Sequence, residues 1–203
     1  MKASILIEVI MKVSILIDDY MMNTDDDERV INFLKSELCS IDMVNYQDND
    51  GWCALNLAAR LNRHEVVKAL IEKGADVNRI NWDHSFNPLM FCIYEGDNHS
   101  EEDKENKLKT VKLLIDANTN LNFEDRFSAF TLACQVNETE VIKLLLQYNI
   151  NIDFKDEDGQ SGLDYLKEHY NQEAINMVNS YVMHEKLNTE LNQQNHSNPK
   201  LKI

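Results

Sequence analysis

The chain has 203 residues, 43% of them hydrophobic, with five Gly and two Pro. That length suits one compact domain and leaves little room for a long flexible linker. A formal net charge of −15 opposes a phosphate backbone or an anionic membrane surface, so nucleic acid and membrane are both set aside as partners.

The first elements are apolar and duplicated: Lys2-Ala-Ser-Ile-Leu-Ile-Glu8 returns as Lys12-Val-Ser-Ile-Leu-Ile-Asp18. Glu8 and Lys12 interrupt the apolar run and Asp18-Asp19 close it, which argues against a signal peptide and a membrane span. Residues 1–12 read as an apolar extension, with Met11 available as a second start; a membrane or partner anchor is the competing reading. Residues 13–45 predict a degenerate capping unit. Its first helix would lie at 13–22, its second would carry Val30, Ile31, Phe33 and Leu34, and Met43-Val44-Asn45 would close it.

Four units follow over residues 46–187. The first opens on the turn Asp48-Asn-Asp-Gly51 and continues with a short helix carrying Leu55, Leu57, Ala58 and Ala59. After a break at Asn62, a second helix carries Val66, Val67, Leu70 and Ile71, and Gly74-Ala-Asp-Val-Asn78 closes the unit. Two short amphipathic helices cannot bury their apolar faces without neighbours of the same kind. Such neighbours are present: Leu55 recurs as Leu89, Phe130 and Leu163, and the second helix recurs at 110–115, 141–146 and, more loosely, 174–178. Asn62, Gly96, Asn137 and Asn171 fall at the break, and Gly74, Asn118 and Asn149 at the end of the second helix. Gly and Asn best tolerate a left-handed backbone, which such positions often require.

The second unit departs from the period. Leu55 to Leu70 spans 15 residues, whereas Leu89 to Leu114 spans 25. The excess falls in an acidic stretch at about 97–106, expected as a loop between the two helices. It reads either as a neutral solvated insertion or as an acidic finger for a basic partner, and His99 with Asp97, Glu101 and Asp103 is a weaker metal-ligand candidate. Residues 174–187 would finish the last helix pair and cap the stack, and the polar tail 188–203 is expected to be disordered.

The period, the helix–turn–helix content and the Gly-Ala-Asp-Val-Asn ending resemble the ankyrin repeat. The resemblance implies an all-α solenoid of paired antiparallel helices joined by β-turn or hairpin fingers. The family's Thr-Pro-Leu-His tetrapeptide stands here as Cys53-Ala54-Leu55-Asn56, Asn87-Pro88-Leu89-Met90, Ser128-Ala129-Phe130-Thr131 and Ser161-Gly162-Leu163-Asp164. No unit keeps the His, so its hydrogen bonds between neighbouring repeats are expected to be missing and the stack less stable than a consensus array.

Chemistry is sparse. Nucleotide-binding and nucleophile-elbow motifs are absent, and the six His show no zinc-ligand spacing. Cys39, Cys53, Cys92 and Cys134 have no metal-ligand spacing and read as small buried hydrophobes in a reducing cytosol. Fewer than about two dozen residues lie outside the stack at each end, below the ~50 of the smallest domains. No enzyme, cofactor or resident metal is therefore expected; a catalytic site built on the stack surface is the alternative.

The resemblance implies a protein-binding module that works through its concave face, formed by turn tips and the exposed side of each first helix. Carried over by position, that face holds Asn49, Asp50, Trp52, Arg60 and Leu61, then Asp83, His84, Phe86, Tyr94 and Glu95. It continues with Glu124, Asp125, Phe127 and Gln135, then Glu157, Asp158, Gln160 and Glu168. Trp52, Phe86, Tyr94 and Phe127 would form an aromatic row among carboxylates, either as partner anchors or packed on neighbouring turns. A monomeric, cytoplasmic protein with a basic protein partner is expected. Two settings fit: an immunity protein blocking a basic toxin or nuclease, and an effector of an intracellular bacterium or virus delivered into a host cell.

Overall fold

The computed structural model describes residues 27–82, 85–95, 100–123 and 125–197. The apolar extension and the first helix expected for the capping unit lie outside these. Among the described residues the chain folds as α1 (Asp27–Lys35), α2 (Ile41–Val44), α3 (Ala54–Arg60), α4 (His64–Lys73) and α5 (Pro88–Glu95), then α6 (Glu101–Asp116), α7 (Ala129–Gln135), α8 (Thr139–Leu145), α9 (Gly162–Glu168) and α10 (Gln172–Ser197). The first helices α3, α5, α7 and α9 pack in one row, and α1, α4, α6, α8 and α10 in a second. The core runs continuously between the rows, with Leu55, Leu70, Leu89, Leu114, Phe130, Ile142 and Leu166 at 1% exposure or less. Each unit borrows its core from its neighbours, as the isolated pattern requires.

The tetrapeptide starts the first helices. Asn87 accepts from the Met90 amide at 3.0 Å, Ser128 from Thr131 at 3.1 Å and Ser161 from Asp164 at 3.3 Å. These are N-caps, each stabilising by about 1 kcal/mol. At the last of them Asp164 bonds back to Ser161, and those bonds hold its carboxyl down to about 2. The missing His is replaced in part by smaller polar groups. Asn56 Nδ2 reaches the Arg79 carbonyl at 3.4 Å and Thr131 Oγ1 reaches the Phe154 carbonyl at 3.5 Å, each 23 residues on. A second set of bonds ties the fingers together. Asn45, Asn78 and Asn122 accept from the amides of Asp76, Asn120 and Asn151 at 2.7, 2.7 and 2.6 Å. The expected loss of inter-repeat hydrogen bonds is thus offset along the closing turns.

Asn62, Asn137, Gly74 and Asn118 all take the left-handed backbone their positions require. At the fourth break the left-handed residue is Tyr170, not Asn171. Asn171 serves one step later, accepting from the Ala174 amide at 3.0 Å and donating to Asn137 and Thr139. Asn149 does not appear among the left-handed positions; α8 ends earlier, at Leu145, and the Asn149 carbonyl accepts from Asn122.

The acidic insertion is largely helix rather than loop. α6 is 16 residues long against 10 for α4, and the extra turns lie at its N-terminus. Ser100 and Asp103 form a capping box there, and Lys104–Glu101 and Lys109–Glu105 pair at 2.6 and 2.9 Å one turn apart. A stretch rich in Glu and Lys lengthens a docked helix more cheaply than it forms a loop, because the nucleus already exists. Glu101 and Asp103, offered as metal ligands, are engaged in these local bonds; Asp97 and His99 lie outside the described residues. The tail differs likewise: α10 continues through Ser197. No Gly or Pro interrupts 188–197, and Asn188 and Thr189 bond back to His184 and Glu185 at 3.1 and 2.9 Å. A polar sequence that would not form an isolated helix continues one that packing has already started.

Candidate functional site

The first and fourth finger tips share one construction. Asp48 Oδ1 accepts from the amides of Asp50 and Trp52 at 2.9 and 2.8 Å, and Asp156 Oδ1 accepts from Asp158 and Gln160 at 3.1 and 2.9 Å. Gly51, Ser85 and Gly159 take the left-handed position of their turns. The Asp48 amide bonds to the Trp52 carbonyl and the Asn81 amide to the Phe86 carbonyl, so the second finger is one residue longer. Trp82 stands in this longer turn and is exposed. Neighbouring fingers are joined by the Trp82 amide and Asn81 Nδ2, which donate to the Asp50 carbonyl at 3.3 and 3.0 Å.

Two columns of side chains run along the fingers and first helices. One, at the base of the fingers, is Trp52, Phe86, Phe127 and Gln160. The other, at the ends of the first helices, is Arg60, Tyr94, Gln135 and Glu168. Partners across the columns stand eight residues apart in every unit. Three of these pairs touch. The Arg60 guanidinium lies 5.4 Å from the Trp52 ring centre, Tyr94 meets Phe86 edge-on at 5.6 Å, and Gln160 donates to Glu168 at 2.9 Å. Along the columns Phe86 meets Phe127 at 6.0 Å. Phe91, fully buried, supports the strip from behind at 4.5 Å from Trp52 and 5.4 Å from Phe86. The strip therefore changes character along the stack, from cation on indole, through aromatic, to amide and carboxylate.

Of the two expectations for the aromatics, partner anchors or packing on neighbouring turns, Phe86 takes the second. Phe86 is buried, at 4%, because it fills the space between Phe91, Tyr94 and Phe127. It is a support for the face, not a contact on it. Trp52, Arg60, Leu61, Phe127 and Gln135 are half-buried; Asn49, Asp50, Asp125, Glu157, Asp158 and Glu168 are exposed, as is Tyr94 at 48%. Asp83, His84 and Glu124 lie outside the described residues. Trp82, exposed at 63%, is the residue the sequence reading missed. The signal was the one-residue excess between Asn81 and Phe86.

Gly51 fixes this corner of the face. Its φ is +83°, and a Cβ there would lie 2.7 Å from the Trp82 backbone nitrogen and 2.8 Å from the ring. Gly51→Ala combines a left-handed strain with a backbone clash. It is expected to lower stability by about 1–3 kcal/mol in urea denaturation and to change the near-ultraviolet circular dichroism of Trp82.

Cys53, Cys92 and Cys134 are not activated as nucleophiles. Burial raises the thiols of Cys53 and Cys92 to about 11 and about 12, and that of Cys134 further, so none ionises near neutrality. Burial and a hydrogen bond to Asp156 raise the Tyr165 phenol; that bond fixes the base of the fourth finger. Among the described residues no group of three or more His, Cys, Asp and Glu side chains is placed to hold a metal ion. No helix among them is long and apolar enough to cross a membrane.

A family model described as ankyrin repeats in three copies matches residues 20–103 and 100–181. Two ankyrin repeat proteins of Acanthamoeba polyphaga mimivirus are similar over parts of the chain. One is 26% identical over 95 residues, covering 47% of this chain and 11% of the relative. The other is 30% identical over 90 residues, covering 41% of this chain and 16% of the relative. The chain thus spans about a tenth to a sixth of the length of the curated relatives it matches.

Proposed function

The chain belongs to the ankyrin-repeat family, a family of protein–protein interaction modules, and from that premise we propose that its finger-and-first-helix face holds a protein partner with a basic surface, without chemistry. The observation that carries this reading is the two-column strip. Half-buried and exposed aromatics stand on it, and the fingers carry the exposed carboxylates Asp50, Asp125, Glu157 and Asp158. Rigid aromatics contribute affinity and charges set orientation and encounter rate. A formal charge of −15 selects a cationic partner and predicts association that slows as salt rises. The action proposed is occlusion or scaffolding of that partner by a cytoplasmic monomer.

Of the two settings, the viral relatives favour a protein directed at a host partner over an immunity protein. A toxin gene beside this one would reverse that preference. The experiment is partner capture by the immobilised full chain, with mass-spectrometric identification. Capture is expected to be lost in the double variant Trp52→Ala, Phe127→Ala and in the charge reversal Asp125→Lys, while helical circular dichroism persists at the assay temperature. Capture that survives all of these changes places the partner elsewhere.

A further inference from the structure

We propose that Trp82 is an arginine-reading anchor: a guanidinium of the partner stacks on its indole and pairs with the carboxylate of Asp50. The inference rests on the reading of this face as a site for a basic protein. Trp82 is 63% exposed at the tip of the longer second finger. It is not a loose side chain. Its backbone amide is held by the Asp50 carbonyl at 3.3 Å, and its ring lies against Gly51, where the missing Cβ makes room. One side of the ring is thereby seated and the rest is presented to solvent.

The same chain shows the contact in cis. Arg60 lies over Trp52 at 5.4 Å in the adjoining finger. The other arginine described on this face, Arg126, is engaged with Glu157 at 2.7 Å. The face therefore holds these two guanidinium groups in local contacts, while Asp50, whose carbonyl accepts from the Trp82 amide, is exposed. Arginine suits such a site better than lysine, since its planar group stacks on an indole and meets a carboxylate with two donors.

The test is calorimetric titration of the full chain with a ten-residue arginine-rich peptide, its lysine counterpart and a glutamate-rich control. The arginine peptide is expected to bind most tightly. Trp82→Ala should weaken it about tenfold, and Trp82→Phe, which keeps a ring face, should recover most of the loss. Trp82 is largely exposed, so both variants fold, and unchanged melting confirms it. Equal binding of the arginine peptide to native protein and Trp82→Ala overturns the anchor while leaving the acidic face as a basic-protein site. Absence of arginine-peptide binding also overturns it, and partner capture then decides the wider reading independently. Trp82-dependent binding to neutral phosphatidylcholine vesicles, with no preference among peptides, overturns it in favour of a lipid contact.

Discussion

Glu138→Ala is expected to cost about 3–5 kcal/mol of folding stability, more than any surface change in the molecule. Lys107 Nζ meets Glu138 Oε1 at 2.7 Å, with the lysine side chain 3% exposed and the glutamate 19%. Removing the carboxylate leaves an ammonium ion out of water with its main counter-charge gone. Removing both charges is a different matter. Lys107→Met with Glu138→Met should lie within about 1–2 kcal/mol of the native protein, because apolar packing replaces a pair whose desolvation cancels much of its attraction. Urea denaturation of the two single variants and the double variant measures this directly. A Glu138→Ala cost under about 1 kcal/mol would mean that Lys107 swings out to water, contrary to its burial. The pair has a structural role that follows from its place. Lys107 lies in the N-terminal extension of α6, so the two extra turns are bolted to the next unit at the start of α8.

Phe91→Ala is the second large effect, at about 3–5 kcal/mol for truncating a buried aromatic side chain. Phe91 has no exposed surface and touches both Trp52 and Phe86. The substitution should therefore act twice. It lowers the urea midpoint, and it loosens the aromatic column above it, which near-ultraviolet circular dichroism of Trp52 reports. Phe91→Leu, which refills part of the volume, should restore much of the stability and less of the Trp52 signal, since a branched aliphatic chain cannot reproduce the ring contact at 4.5 Å. Partner capture would fall in step with the Trp52 signal rather than with stability if the strip is the binding surface.

The charge pair shows how far sequence reading reaches. Asp27, Arg63, Lys107, Glu138 and Asn171 occupy the same register position in successive units. The structure pairs Arg63 with Asp27 at 2.9 Å and Lys107 with Glu138 at 2.7 Å, and Asn171 bonds to Asn137 in the last step. Opposite signs in two neighbouring pairs, Asp27 with Arg63 and Lys107 with Glu138, were visible in the sequence. Their significance was not, because the acidic stretch before Lys107 looked like a loop and its register was set only once that stretch joined α6. Phe86 teaches the same lesson at the site. Its column was legible from the tetrapeptide spacing, but a residue's exposure depends on its neighbours, and Phe91, Tyr94 and Phe127 close over it.

The sequence by itself determined the repeat, the pairing of helices, and the left-handed positions at Asn62, Gly74, Asn118 and Asn137. These follow from local rules: apolar period, helix ends and turn geometry act within a few residues. The tertiary structure decided the rest. It set which aromatics face solvent, how the longer second finger presents Trp82, where the lost His bonds are replaced, and why polar stretches at 101–107 and 188–197 become helix. Each of these turns on contacts between units or on a helix already nucleated elsewhere, and neither is contained in the segment it affects.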